Sequence, residues 1–202
     1  MVSIKPGTRQ FGPENLGTSA VQETRNLLAE RGVSLDVEGV IYPAHDVWLI
    51  AAEGWDAWYA GVGQGRDELL RLLRKRTDGN VCGWQNTRAM LVGYSQGAMV
   101  VGDAIAQMTP QERAAVIGVV TYGNPHFNPL ANGAVGGNGE PGKLGPSGAY
   151  PDELDQRSRD YCRTEFFCSL SSPDIGPHMQ YHRPSPQTTW GADFLASRAA
   201  AR

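Results

Sequence analysis

A chain of 202 residues, with 41% hydrophobic and 19% charged side chains, can bury the core of one ordinary domain and is short for two. Its 18 basic and 21 acidic side chains give a net charge of -3, so it has no long-range attraction for a phosphate backbone. That argues against nucleic-acid binding as the main activity, and no apolar run is long enough to span a bilayer.

In chain order, Val2–Lys5 reads as a first strand followed by a turn-rich stretch, and Ser19–Arg31 as an amphipathic helix that ends at Gly32. Leu35–Tyr42 alternates apolar and polar residues up to Pro43 and is expected to be a strand. Trp48–Arg76 is helical, with Leu69, Leu70, Leu72 and Leu73 on its buried face. Arg88–Gly93 is a short apolar strand, Gln96–Met108 a helix of small and aliphatic residues, and Ala115–Tyr122 a fully buried strand. Gly123–Pro151 holds eight glycines and five prolines and is expected to contain no regular structure; within it, Gly133–Gly148 is either a lid or a solvated loop. Tyr161–Phe167 is expected to be a last strand and Thr189–Ala201 a closing helix. Strands alternating with helices, with no repeat and no linker, predict one α/β domain over residues 1–202, built on a mainly parallel sheet between helical layers.

Chemistry concentrates at Gly93-Tyr94-Ser95-Gln96-Gly97, a Gly-x-Ser-x-Gly motif with an apolar strand before it and a helix after it. On a tight strand-to-helix turn, the glycines make room for the bend and Ser95 Oγ is pushed clear of the sheet. The Gln96 N–H at the helix start then lies beside any oxyanion that forms. A serine hydroxyl needs a base within hydrogen-bond reach and an acid to orient that base. His126, His178 and His182 follow Ser95; His126 reads as a loop or packing residue, and spacing alone leaves His178 and His182 open. Of the three cysteines, Cys162 and Cys168 are close enough to close a small loop in an oxidising environment, and Cys82 reads as a buried apolar residue. No metal-ligand spacing or nucleotide-binding glycine motif is present, so no cofactor and no metal are expected.

The chain resembles the cutinase superfamily of serine esterases over nearly its whole length. The resemblance lies in Gly7-Thr8, Tyr42-Pro43-Ala44, Gly93–Ala98, Tyr122–Pro125, and Cys162, Glu165, Cys168 and His178. It implies an α/β-hydrolase sandwich and a catalytic acid three residues before the second cysteine of a disulfide loop, with the histidine ten residues after that cysteine. Those offsets select Glu165 and His178, with a Cys162–Cys168 bridge, and they make Thr8 an oxyanion-hole residue beside Gln96. The family normally carries Asp where this chain has Glu165, and the loop is one residue shorter on its first half. Asp160 and Asp174 are therefore the competing acids. Cys82 matches a family cysteine whose N-terminal partner is missing here.

Two branches of the superfamily compete. Gly7–Gln10, Gly93–Gly102, Gly123-Asn124-Pro125 and Arg159-Asp160-Tyr161 resemble lysin B of phages that infect mycobacteria, an esterase that releases mycolic acids from arabinogalactan. The short Glu165–His178 connection instead resembles compact secreted cutinases, which cleave lipid esters and polyesters. The first branch is the leading expectation. It implies a monomer made without a signal peptide in the host cytosol and acting on the cell envelope; the alternative is a secreted enzyme whose signal has been removed. Apolar residues that could receive an acyl chain are Trp48, Leu49, Ile50, Phe127–Leu130 and Ile175–Tyr181, although residues of this kind more often build cores. A reading of another class, an inactive envelope-binding module, rests on the Glu-for-Asp change.

Overall fold

The computed structural model describes residues 2–4, 18–44, 50–76, 88–148, 150–181 and 183–200. Six strands form one all-parallel sheet: β1 (Val2–Ile4), β2 (Glu38–Val40), β3 (Ala89–Tyr94), β4 (Val116–Tyr122), β5 (Ala134–Gly136) and β6 (Ser158–Cys162), in the order β2-β1-β3-β4-β6-β5. The helices are α1 (Thr18–Glu30), α2 (Ile50–Arg76), α3 (Gln96–Gln107), α4 (Pro110–Ala115), α5 (Asp152–Asp155) and α6 (Pro186–Ala200).

The central strands are apolar on both faces because each face meets a helical layer. Along β3 the side chains alternate: Ala89 and Leu91 join a core with α2 and α3, while Met90, Val92 and Tyr94 join a second core with α1 and α6. The first core holds Trp58, Leu69, Leu73, Val100, Ile105 and Phe167, and the second holds Leu28, Tyr122, Tyr181 and Leu195. Gly65 lets α2 press onto α3, since a Cβ there would lie 2.7 Å from Val100 Cγ2 and 3.0 Å from the Tyr42 ring. A break at Gly54 (φ 76°, ψ 173°) divides α2, a feature that the helical periodicity of the stretch conceals.

Three expectations are corrected. The Leu35–Tyr42 strand shrinks to Glu38–Val40. The glycine- and proline-rich stretch after Tyr122 contains β5, an edge strand paired with Ala134 beside Asp160 and Gly136 beside Cys162. The last strand lies earlier than expected and stops at Cys162, because the chain turns back there through Thr164 (φ 58°) and the Cys162–Cys168 disulfide. The short helix α4 is also present, carried by a Thr109–Glu112 capping box with Pro110 at its first turn. Ile117 is only half-buried within the otherwise buried β4.

Residues 133–148, expected as a lid or a solvated loop, are tied to the rest of the fold through their backbone. Their backbone N–H groups donate to Cys162 O from Gly137, to Phe127 O from Gly142, to Phe167 O from Lys143 and to Pro125 O from Leu144, at 2.8–3.0 Å.

The crossing of α6 over β4 depends on Gly191. A side-chain methyl there would collide with the buried Tyr122 hydroxyl and lie 3.1 Å from Val120 Cγ1. Alanine favours a helix by up to about 1 kcal/mol, but overpacking costs about 1–3 kcal/mol, so the clash decides the sign. Gly191→Ala is expected to lower the urea midpoint; a midpoint equal to or above that of the parent would contradict this packing.

Candidate active site

Ser95 sits at the turn from β3 into α3 with φ 54° and ψ -124°, a conformation that L-residues rarely adopt. Its N–H donates to Tyr122 O at 2.9 Å, and its carbonyl accepts from Ala98 N at 2.9 Å, so the bend is tied to both the sheet and the helix. Gly93 makes the bend possible: a Cβ there would lie 2.6 Å from Gly97 O and 2.9 Å from Ala98 Cα. Such a conformation costs about 1–3 kcal/mol when it falls on a residue other than glycine. Gln96 is buried, and its side-chain amide donates to Trp58 O at 2.9 Å. That contact turns the side chain toward α2, while the backbone N–H stays at the start of α3 beside Ser95.

The structure brings His178 and Glu165 to this serine. His178 Nε2 lies 3.0 Å from Ser95 Oγ, and His178 Nδ1 lies 3.0 Å from Glu165 Oε1. Neither atom of the second pair has a hydrogen-bond partner of good geometry, so the pair is a close contact rather than an aligned hydrogen bond. A carboxylate facing Nδ1 calls for the proton on that nitrogen, which leaves Nε2 to accept from the serine hydroxyl. Ser95 is 8% exposed, His178 2% and Glu165 0%, so the imidazole and the carboxylate are shut away from water and the serine retains slight exposure.

Each partner has its own support. Glu165 lies within the loop closed by Cys162 and Cys168; its Oε2 accepts from Phe167 N at 2.7 Å and its carbonyl from Ser169 N at 3.0 Å. The imidazole lies between the rings of Tyr94 and Phe167, with centroids 4.7 and 4.6 Å away. The Tyr94 hydroxyl donates to His178 O at 3.0 Å. Burial first, and the nearby Glu165 carboxylate second, push the Tyr94 hydroxyl well above its ordinary value, so it remains a neutral donor. Gly123 lies directly against the pair with φ +56°; a Cβ there would be 2.7 Å from His178 Nδ1 and 3.0 Å from Glu165 Oε1.

The competing candidates are engaged elsewhere. Asp160 accepts from Thr121 Oγ1 at 2.8 Å and from Asn124 Nδ2 at 2.9 Å, and burial pushes it up to about 6. Asp174 Oδ1 accepts from Gly176 N at 2.8 Å, within its own turn. Among the described residues, Glu165 is the only carboxylate in ion-pair contact with the imidazole. His126 Nδ1 faces Gly145 O at 2.9 Å. Thr8, Trp48, Leu49, Cys82, His182 and the Ile50 side chain lie outside what is described. Gly123, Tyr94 and Phe167 are the supports that sequence reasoning missed. Tyr94 stood inside the motif, whereas the place of Gly123 beneath the pair is visible only once the two loops meet.

The cutinase family model matches residues 6–199. The chain belongs to the cutinase family. It is 26% identical to Cutinase CUT1 of Coprinopsis cinerea over 166 residues, a match that covers 82% of this chain and 66% of that relative's length. Among solved structures, the catalytic core of an acetyl xylan esterase from Trichoderma reesei superimposes with a TM-score of 0.74, at 18% identity over 98% of both chains. Lysin B from Mycobacteriophage D29 gives a TM-score of 0.52 at 17% identity, over 98% of this chain and 87% of that one. At such identities these structures share the fold, the α/β-hydrolase sandwich expected of the cutinase family.

An alanine at 123 should drive the imidazole off the carboxylate. Gly123→Ala is expected to remain folded but to widen the 3.0 Å separation of His178 Nδ1 and Glu165 Oε1 in a crystal structure; a separation unchanged from the parent would contradict the contact described above.

Proposed function

We propose that this protein is a serine carboxylic-ester hydrolase, with Ser95 as nucleophile, His178 as general base and Glu165 as the acid that orients the base. The observation that carries this reading is the placing of the His178 ring between Ser95 Oγ and Glu165 Oε1, with Nε2 3.0 Å from the first and Nδ1 3.0 Å from the second. His178 Nε2 takes the hydroxyl proton as Oγ adds to the ester carbonyl, and the Glu165 carboxylate stabilises the imidazolium that forms. The Gln96 N–H receives the oxyanion, with Thr8 as its proposed partner. Collapse of the tetrahedral intermediate expels the alkoxide, which takes the proton from Nε2 and leaves an acyl-Ser95 ester. Water then adds to that ester with His178 again as base, releasing the acid and restoring the hydroxyl. These residues complete the steps without a cofactor.

The substrate we propose is an ester of a long-chain acid, in a lipid or polyester. The compact run from Glu165 to His178 and the match to a cutinase over 82% of the chain support this choice. A lysin B-type role on mycolyl esters of arabinogalactan is the second reading, favoured by the sequence segments that resemble that branch. Incubation with a cutin-like polyester and with mycolyl-arabinogalactan separates the two: hydroxy fatty acids from the first support the former, and mycolates from the second alone support the latter.

For the chemistry, Ser95→Ala and His178→Ala are each expected to cut p-nitrophenyl butyrate turnover by at least about a thousandfold. Glu165→Gln should cost about a hundredfold or more, while Asp160→Asn and Asp174→Asn stay within about tenfold of the parent. Full activity in Glu165→Gln together with collapse in either aspartate variant would move the acid.

A further inference from the structure

The loop that carries Glu165 is anchored on one side by the Cys162–Cys168 bridge. Past Cys168 the chain runs through residues 169–177 to the histidine with no helix or strand, so its position there depends on other contacts. Some lie within the loop, as in Phe166 N to Asp174 O at 2.8 Å, and two charged side chains of the 133–148 segment supply others. Glu140 Oε2 accepts from Ser169 Oγ at 2.8 Å, from Ser171 N at 3.0 Å and from Ser171 Oγ at 2.7 Å. Lys143 Nζ donates to Leu170 O at 2.6 Å and to Ser172 O at 3.4 Å, and sits 4.7 Å from the centre of the Phe166 ring. Its backbone N–H donates to Phe167 O at 2.8 Å.

We propose that Glu140 and Lys143 are positioning residues for the catalytic acid, a role that rests on the assignment of Glu165 above. Residues 166–172 are gripped by an anion and a cation in turn, and two of the backbone groups within this stretch, Phe167 N and Ser169 N, hold Glu165 directly. The Phe167 ring also packs against the imidazole, tilted at 45° with centroids 4.6 Å apart, so a shift of the gripped stretch moves both the carboxylate and one wall of the histidine. The Ser171 hydroxyl and N–H, then the Ser169 hydroxyl and the Asn138 side chain, hold the Glu140 carboxyl down to about 2, which keeps it an anionic acceptor through the neutral range. Neither residue touches Ser95 or a reacting atom; they act through Glu165 and Phe167. The glycines and prolines around them give the segment the turns it needs to cross the acid loop, whereas a composition of this kind taken alone suggests mobility.

The readout must separate positioning from loss of folded protein. Reactive sites are counted first with a p-nitrophenyl phosphonate, which releases one nitrophenolate per active serine; kcat with p-nitrophenyl butyrate is then expressed per site and compared with KM. Glu140→Ala is expected to lower kcat about tenfold per site with KM within about twofold, because misplacement of an orienting group acts on the transition state. Glu140→Gln, which keeps an oxygen acceptor, should recover most of kcat, and Lys143→Met should resemble Glu140→Ala. If Glu140→Ala does not fold, Ser171→Ala, which removes one donor to Glu140, serves the same comparison. A kcat per site unchanged in Glu140→Ala, or a Glu140→Gln variant no more active than Glu140→Ala, would overturn the proposal. A parent protein that releases no nitrophenolate would instead overturn the hydrolase reading, and this proposal with it.

Discussion

The site depends on one backbone constraint, a positive φ at Ser95. This angle lets the strand end and the helix begin within a single residue, so the hydroxyl leaves the sheet while the first helical N–H remains beside it. The constraint is shared among residues that tolerate it. Gly93 supplies the space, Tyr122 O receives the Ser95 N–H, and the carbonyl of Ser95 starts the hydrogen bonding of α3. Strain of about 1–3 kcal/mol held by such a frame is typical of sites where geometry is used for chemistry.

The partner half of the site comes from the opposite end of the chain and has no regular structure of its own. A disulfide, a 3-10 turn at His178–Gln180 and a set of aromatic rings do the work that a strand or helix would otherwise do. A glutamate in place of the family's usual aspartate is accommodated because Oε1 reaches the imidazole while Oε2 is held by Phe167 N. Gly123 leaves the space in which these atoms meet, so the loop after β4 belongs to the site as much as the loops that carry the side chains.

Much of the central sheet was legible because its strands are short apolar runs bounded by glycine and proline, and the helices on either side show the 3.6-residue period. The turn at Ser95 was legible for the same reason, since strand, motif and helix are contiguous. Less legible were features set by distant partners. Ala134–Gly136 is too short and too rich in small residues to read as a strand until Ser158–Cys162 lies beside it. The end of β6 is fixed by a covalent bond and by Thr164 in a left-handed conformation, neither of which has a periodic signature. Residues 133–148 have the composition of a mobile loop, yet their charged side chains and N–H groups find fixed partners across the fold. Among the acids, sequence offsets taken from a family pattern pointed to Glu165, and residue types alone could not separate it from Asp160 or Asp174.

The central claim is that Ser95 Oγ is presented to an acyl carbon with the oxyanion directed at the first N–H of α3. A crystal structure of the protein after reaction with an alkyl phosphonate tests this directly. The account predicts a covalent phosphorus–oxygen bond at Ser95, a phosphonyl oxygen about 3 Å from the Gln96 nitrogen, and His178 Nε2 facing the leaving-group side. Phosphorus on another residue, or a phosphonyl oxygen turned away from the start of α3, would contradict it.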